Sequence, residues 1–264
     1  MNVLPLLLSI VLQQPAFCAQ TPEEKGLAVF REAEKRDDGF RNARAEMTMT
    51  LRNRRGDESV RRMRMRTLEV TDDGDKSLII FDNPKDVKGT AFLTFTHKKG
   101  NDDQWLYLPA LKRVKRISAS NRSGSFMGSE FSYEDLSSWE VEKYAYTWLR
   151  EEACPSEEFE ELRCDVVESY PADKKSGYTR IVSWIDAEEY RNVRSEFYDR
   201  KSSRLKTLTP GGYERYLDKF WRPLRMEMVN HQTGKSTELR WRDYRFRTGL
   251  KDSDFDRNAL KRAK

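Results

Sequence analysis

The 264-residue sequence contains only two histidines and three cysteines. Histidine is a common general acid–base residue and a frequent metal ligand, so the chain has little material for either chemistry. His97 and His231 lie in predicted turns, and spacing suggests no cysteine, serine or carboxylate partner for either. We predict a structural or surface role for both, with no metal site and no cofactor.

Recognisable catalytic motifs are also missing. The sequence has no phosphate-binding loop, nucleophile elbow or zinc signature. Glu130, Glu134 and Asp135 are clustered acids, but no second acidic cluster completes a glycosidase pair, which disfavours a hydrolase of acidic polymers. We therefore predict a binding protein rather than an enzyme.

The apolar run at residues 3–12 is too short to span a bilayer, which takes about 20 residues. Small residues follow it up to Ala19, as in a secretory signal. Cleavage after Cys18 places small residues at the recognised positions, whereas cleavage after Ala19 places Phe17 there. Phe17 also disfavours lipidation of Cys18. We predict a signal peptide at 1–19 and a single exported domain at 20–264.

Removal of the signal leaves two cysteines, Cys154 and Cys164. An even number of cysteines in an exported chain favours a disulfide. The alternative is a pair of reduced thiols. We predict the disulfide.

The net charge is only +5, but the segment Arg41–Arg66 carries nine arginines against three acids. Such a surface is either a solvated outer face or a site that meets phosphate groups or an acidic partner. Export argues against a nucleic acid as that partner.

Hydrophobic residues make up 37% of the chain and charged residues 35%, which favours an open sheet with one wet face. A helix is predicted from Thr21 to about Lys35. Short alternating segments then predict a curved antiparallel sheet or barrel, closed by a short helix within 251–263. The predicted strands after residue 75 are 77–81, 90–96, 104–108, 112–117, 164–170, 178–186, 191–198, 205–209, 214–220, 224–230 and 236–246. Residues 139–149 form either a strand or an amphipathic segment.

A methionine-rich hairpin precedes these strands. Its apolar face consists of Met47, Met49, Met63 and Met65, and arginines such as Arg62 and Arg64 occupy the other face. Methionine is flexible and polarizable, so this face is either ordinary core or a wall that adapts to apolar ligands.

A second group of candidate ligand-binding residues lies at 105–131. Trp105, Tyr107 and Leu108 supply large apolar surfaces, and Phe131 follows a glycine-flanked loop. On that loop Phe126 and Met127 form a candidate movable plug. Arg113 and Arg116 are candidate rim residues for a headgroup or an acidic partner. The alternative is plain core beside a solvated edge.

This stretch resembles a known family. Residues 105–109 (WLYLP), Arg113, Arg116 and residues 126–136 (FMGSEFSYEDL) look like the hallmark of outer-membrane lipoprotein-sorting proteins of the LolA-like type. Glu130 stands where the family more often has Asp, which keeps the charge on a longer side chain. The resemblance extends over most of the mature chain.

The resemblance implies an incomplete antiparallel β-barrel whose open side is covered by helices. It also implies a periplasmic carrier for lipids or lipoprotein acyl chains, of the type that accompanies RND-class exporters. We expect the protein to be a monomer. The alternative is an accessory or sensor subunit that binds an exporter or an envelope-stress regulator and carries no lipid.

Overall fold

A computed structural model describes residues 20–262 of the chain, so the predicted signal peptide at 1–19 lies outside the described residues. The first element is helix α1, Pro22–Asp37. Thr21 caps it, accepting from the backbone N–H of Glu24, while the Glu24 carboxylate accepts from the backbone N–H of Thr21. This reciprocal capping box, with proline in the first turn, explains why the helix begins where the sequence predicts.

Thirteen antiparallel strands form one sheet among the described residues. They are Asn42–Arg52 (β1), Glu58–Leu68 (β2), Lys76–Asn83 (β3), Ala91–Phe95 (β4), Asp103–Leu108 (β5), Arg113–Ile117 (β6), Tyr144–Ala153 (β7), Arg163–Pro171 (β8), Tyr178–Asp186 (β9), Asn192–Asp199 (β10), Arg204–Tyr216 (β11), Phe220–Asn230 (β12) and Lys235–Phe246 (β13). Their order is β6-β5-β4-β3-β2-β1-β13-β12-β11-β10-β9-β8-β7, which leaves β6 and β7 as unjoined edges. The predicted fold, a half-open β-barrel with a helical cover, is confirmed.

Short helical turns connect several strands and close the chain. They are the 3-10 turns Pro109–Leu111, Ala119–Asn121, Glu134–Leu136, Val141–Lys143, Glu157–Phe159 and Asp252–Phe255, followed by helix α2, Arg257–Arg262. The predicted C-terminal helix is thus confirmed as a 3-10 turn and a short α-helix.

Alternation along β2 separates the two faces of the sheet. Met63 pairs with Met47 and lies in the main hydrophobic core on the concave side. Arg64 points to the convex side, where its guanidinium donates to both carboxylate oxygens of Asp82. Because neighbouring residues of a strand point to opposite faces, the Met/Arg alternation fixes the register of this hairpin.

Only part of the convex face is exposed to solvent. Over β3–β5 it is covered by the C-terminal segment, whose Leu250, Phe255 and Leu260 pack on the sheet.

At the β7 edge of the sheet, the disulfide between Cys154 and Cys164 closes the connection from β7 to β8, which confirms the predicted bridge.

The observed strands correct one predicted strand and decide one segment that the sequence left open. The separate strand predicted at 214–220 is wrong, because β11 continues through Pro210 and Gly211 while pairing with β12. The chain reverses instead at Leu217 and Asp218, which both have positive φ as a tight hairpin turn requires. The undecided segment 139–149 becomes a 3-10 turn followed by β7.

Helix α1 covers part of the concave side by packing on β7 and β8. Val29 and Phe30 enter a cluster with Tyr146, Val167 and Ile185. A Cβ at Gly26 would lie only 2.8 Å from the backbone nitrogen of Trp148, so glycine permits this close approach. The helix therefore acts as a lid over one end of the half-barrel.

Candidate functional site

The concave side of the sheet encloses three adjoining spaces that meet at Asn192. Their volumes are about 680, 590 and 480 Å³. Each falls within the range of small-molecule pockets, about 300–1,000 Å³. The apolar residues that line the 680 Å³ space include Phe131, Tyr144, Tyr178, Ile181, Phe197, Leu208, Met226 and Met228.

The four predicted methionines lie on this concave side, but they differ in access. Met47, Met49 and Met63 are buried in the core, with at most 3% of their surface exposed. Met65 is half-buried and lines the 480 Å³ space. Met226, which was not among the predicted site residues, lines two of the three spaces. Its strand, β12, also alternates methionine with charge, and that signal was available.

The residues of the predicted apolar wall at 105–108 lie on opposite faces of the sheet. Trp105 and Tyr107 face the convex side, where they pack with the C-terminal segment. Leu108 packs against the concave core, as does its neighbour Leu106. Strand alternation makes this division unavoidable, so placing Trp105 and Tyr107 beside Leu108 in one ligand-binding wall is wrong.

Phe126 is completely buried within the concave core. Its ring centroid lies 5.1 Å from that of Phe92, 5.9 Å from that of Phe81 and 5.6 Å from that of Tyr133. Met127 is half-buried at positive φ, and its carbonyl accepts a hydrogen bond from Arg61. Of the three spaces, the 680 Å³ one is lined by Phe131 and none is lined by Phe126, so Phe126 fills the interior beside them.

A buried ion pair fixes the loop that follows Phe126. The ammonium group of Lys206 on β11 lies 2.5 Å from a carboxylate oxygen of Asp135 and donates to the carbonyl of Glu130. Asp135 also accepts from the backbone N–H of Ser132 and from the Tyr178 hydroxyl, at 2.6 and 2.7 Å. Burial and the adjacent Asp135 raise the pKa of Tyr178 well above its usual value.

The unusual Glu130 adds a further tie to the same loop. Its carboxylate accepts from the side-chain amide of Asn230 on β12, at 2.7 Å. Its backbone N–H donates to the Thr237 hydroxyl on β13, at 2.9 Å. The motif 126–136 therefore joins the two halves of the sheet across the concave side.

A second buried network bounds the mouth of the 680 Å³ space. Asp102 is paired with both Arg122 and Lys143, and Arg122 also pairs with Asp173. Nearby, burial and the charge of Asp135 raise the pKa of Glu134. These groups give the mouth a polar rim around an apolar floor.

The predicted arginine contacts stay at the surface, away from this mouth. Arg113 and Arg116 are exposed on the edge strand β6, where Arg116 pairs with Asp103. Arg62 is exposed on the convex face beside the partly exposed Arg64. They are available to a partner but are not brought to the three spaces.

Both histidines have partners that spacing did not reveal. His97 Nδ1 lies 2.6 Å from the Asp73 carboxylate and joins the turns before β3 and β5. His231 Nε2 lies 2.7 Å from the Thr207 hydroxyl. Such contacts agree with the structural roles predicted for both residues.

Three carboxylates also converge where α1 meets the 3-10 turn at 141–143. One oxygen each from Glu34, Glu140 and Glu142 lies within 4.8 Å of the others. Burial and the nearby Asp75 raise the pKa of Glu140 to about 7. The sequence predicted no metal site because residue 34 lies far from 140 and 142 along the chain.

Comparison with known proteins places this architecture in a family. A family model described as an uncharacterized protein matches residues 73–262. The structure of an outer membrane lipoprotein-sorting protein domain from Vibrio parahaemolyticus is 55% identical in sequence, with a TM-score of 0.87. The match covers 90% of this chain and 99% of that one. The chain belongs to the family of outer-membrane lipoprotein-sorting proteins.

Two further structures share the architecture of this LolA-like protein. A DUF1329 family protein from Desulfovibrio piger is 29% identical over 91% of this chain and 100% of that chain, with a TM-score of 0.84. A LolA superfamily protein from Nitrosomonas europaea is 19% identical over 89% and 98%, with a TM-score of 0.69, which shows the shared fold alone. A search of curated protein sequences gave no match. Among residues 20–262, no helix is long and apolar enough to cross a membrane.

Proposed function

We propose that this LolA-like protein is a carrier that holds the acyl chains of lipids or lipoproteins within its concave side. The apolar space of about 680 Å³ between the sheet and the motif loop carries the proposal. Half-buried Met226 and Leu208 lie on its floor, so an incoming chain would meet apolar side chains that already face the opening. Family membership supports the same role.

The energetics suit a reversible carrier. Each methylene transferred from water gains about 0.8 kcal/mol, so ten buried methylenes gain about 8 kcal/mol before the entropy of ordering is subtracted. Binding in the micromolar range or weaker corresponds to about 8 kcal/mol or less, which permits both loading and release. No covalent chemistry is required, in keeping with a binding protein rather than an enzyme.

The cellular setting is part of the proposal. After removal of a signal at 1–19, residues 20–264 would work as a single-domain monomer in the periplasm. The cargo would be received from, or delivered to, an RND-type exporter. The exposed arginines of β2 and β6 would face such a partner.

The carrier role is tested by introducing a charge into the floor of the space. Met226→Glu should weaken binding of a fluorescent fatty acid at least tenfold, since a carboxylate is poorly tolerated beside a buried acyl chain. The matched control is Leu149→Glu, at an apolar position on β7 that is 38% exposed. Native mass spectrometry of the purified chain should detect bound lipid. Absence of both lipid and probe binding in the unaltered chain would reject the carrier role.

The second candidate is an accessory subunit that binds an exporter without carrying lipid. It is favoured by the convex arginine face, where Arg62 is exposed. Replacing Arg62, Arg64 and Arg66 by serine should abolish co-purification with an RND-type exporter and leave fatty-acid binding intact. Exposed Arg54 and Arg55, in the hairpin turn, supply the control substitutions.

A further inference from the structure

The carboxylate cluster formed by Glu34, Glu140 and Glu142 lies between the lid helix and the rest of the half-barrel. Glu34 is one helical turn beyond Phe30, so both side chains lie on one face of α1. Phe30 stacks on Trp139, with ring centroids 5.2 Å apart, directly before Glu140. An apolar contact and an acidic contact therefore join the same two segments.

The acidic contact has no ion-pair partner among the described residues, although the charges of Lys98 and Lys143 act on Glu140 from more than 4.0 Å. Within residues 20–262, none of the three carboxylates forms a hydrogen bond or an ion pair with another side chain. Lys143, the nearest basic residue in sequence, is paired with Asp102. Lys98 lines the adjoining spaces and makes no ion pair within 4.0 Å with any residue that the structure describes.

Glu140 distinguishes this cluster from a patch of surface acids, because its side chain is buried. Only 4% of the residue is exposed, and no side chain among residues 20–262 forms a hydrogen bond with its carboxylate. Burying an unpaired carboxylate is unfavourable unless a proton or a cation neutralises it. Asp75 lines the same space, and its proximity makes the charged form of Glu140 less favourable still.

We propose that Glu34, Glu140 and Glu142 bind a Ca²⁺ ion that fastens helix α1 to the turn at 141–143. The donors are all carboxylate oxygens, which suit a hard cation. Two ligands on opposite sides of Ca²⁺ lie about 4.8 Å apart for bonds of about 2.4 Å, and the three oxygens lie within 4.8 Å of one another. Mg²⁺ demands a near-ideal octahedron and gives up its bound water reluctantly, so a site completed irregularly by water suits it less well.

Three carboxylates supply fewer ligands than the six to eight that Ca²⁺ takes. Glu142 is exposed, so water can complete the coordination from that side. Glu140 borders the 590 Å³ space and Glu142 borders the 680 Å³ space, so the ion would sit where the two meet. Its binding would hold the lid helix closed over both.

Thermal unfolding of the full mature chain tests the site. After treatment with a chelator, Ca²⁺ at one hundred times its Kd should raise the Tm by about 5–10 °C. Hydrogen exchange of the amides in 22–37 should slow in parallel, because the ion fastens that helix. Mg²⁺ at the same concentration should give a much smaller shift.

Matched variants locate the effect. Glu140→Gln should abolish the response to Ca²⁺, and Glu161→Gln, at an exposed position outside the cluster, should retain it. Glu142→Gln supplies a second test at an exposed position where folding is not at risk, with at least a tenfold loss of affinity expected. No response in the unaltered chain, or an equal response in Glu140→Gln, would overturn the proposal. Neither readout requires a bound lipid, so the result is independent of the carrier role.

Discussion

Lys206 and Asp135 form an ion pair whose side chains are only 4% and 6% exposed, with 2.5 Å between the ammonium nitrogen and the carboxylate oxygen. Lys206 belongs to β11, and Asp135 ends the motif loop that crosses the concave side. The Tyr178 hydroxyl and the backbone N–H of Ser132 donate hydrogen bonds to the same carboxylate. The pair is therefore a fixed junction between the loop and the second half of the sheet.

Removing one partner of this junction should destabilise the protein strongly. Lys206→Met leaves Asp135 buried without its counter-charge, and such a change costs about 3–5 kcal/mol of unfolding free energy. Urea denaturation measures the loss. Lys201→Met, at an exposed position, is the matched control. Replacing both partners, as Lys206→Met with Asp135→Leu, should recover part of the loss, and a single variant as stable as the control would contradict the prediction.

Phe126 provides a test between a packed core residue and a gate. It is fully buried among Phe81, Phe92 and Tyr133, so Phe126→Ala should lower the unfolding free energy by about 3–5 kcal/mol. Leu111→Ala, at a residue that is 64% exposed, should have little effect. The gate hypothesis adds that Phe126→Ala speeds the release of a preloaded fatty-acid probe. Unchanged release despite lost stability would assign Phe126 to the core alone.

The local features of the fold could be predicted because they depend on residues close together in sequence. The Thr21 cap, the Met/Arg alternation of the hairpin and the cysteine pair all belong to this class. The face on which Trp105 lies was not predictable, because both faces of β5 are apolar and the C-terminal segment that covers one of them is distant in sequence. The alternation of methionine with charged residues around Met226 is visible in the sequence, and it could have identified Met226 as a site residue.

The site itself depends on contacts between distant segments. Pairing of Lys206 with Asp135, or of Glu34 with Glu140, follows only from the complete sheet order. The motif 126–136 pointed to the correct region through family resemblance, whereas its physical role as a junction required the partners on β9, β11, β12 and β13. The carboxylate cluster could not be predicted, because Glu34 is far from Glu140 and Glu142 in the sequence.

Loss of the disulfide should destabilise the fold without affecting the carrier site. The two cysteines are separated by 10 positions, and closing a loop of this size stabilises by about 2–3 kcal/mol on the chain-entropy model. Cys154 packs with Phe159 and Val166 in a cluster separate from the concave core. Replacing both cysteines by serine should therefore lower the Tm and leave fatty-acid affinity unchanged. A large loss of affinity at a temperature where the variant is folded would show that the two regions are coupled.

The contact between His97 and Asp73 should make stability depend on pH in two windows. The hydrogen bond that His97 donates to the Asp73 carboxylate raises the pKa of His97, so its contribution is complete below the unfolded value of about 6.5 and is lost as pH rises through the folded value. For Asp73, burial acts to raise the pKa, but hydrogen bonds from His97 and from backbone N–H groups lower it to about 2. That contribution is present above the unfolded value of about 3.9 and is lost as pH falls toward 2.

Denaturation of the unaltered chain and of His97→Gln at pH 6 and pH 9 measures the first window. Both side chains are partly exposed, so the difference should be about 0.5–1 kcal/mol at pH 6 and close to zero at pH 9. His231→Gln is the matched control, because burial lowers the pKa of His231 and no carboxylate pairs with it within the described residues. A loss in His97→Gln that is the same at both pH values would mean that the imidazole acts through packing and not through its charge.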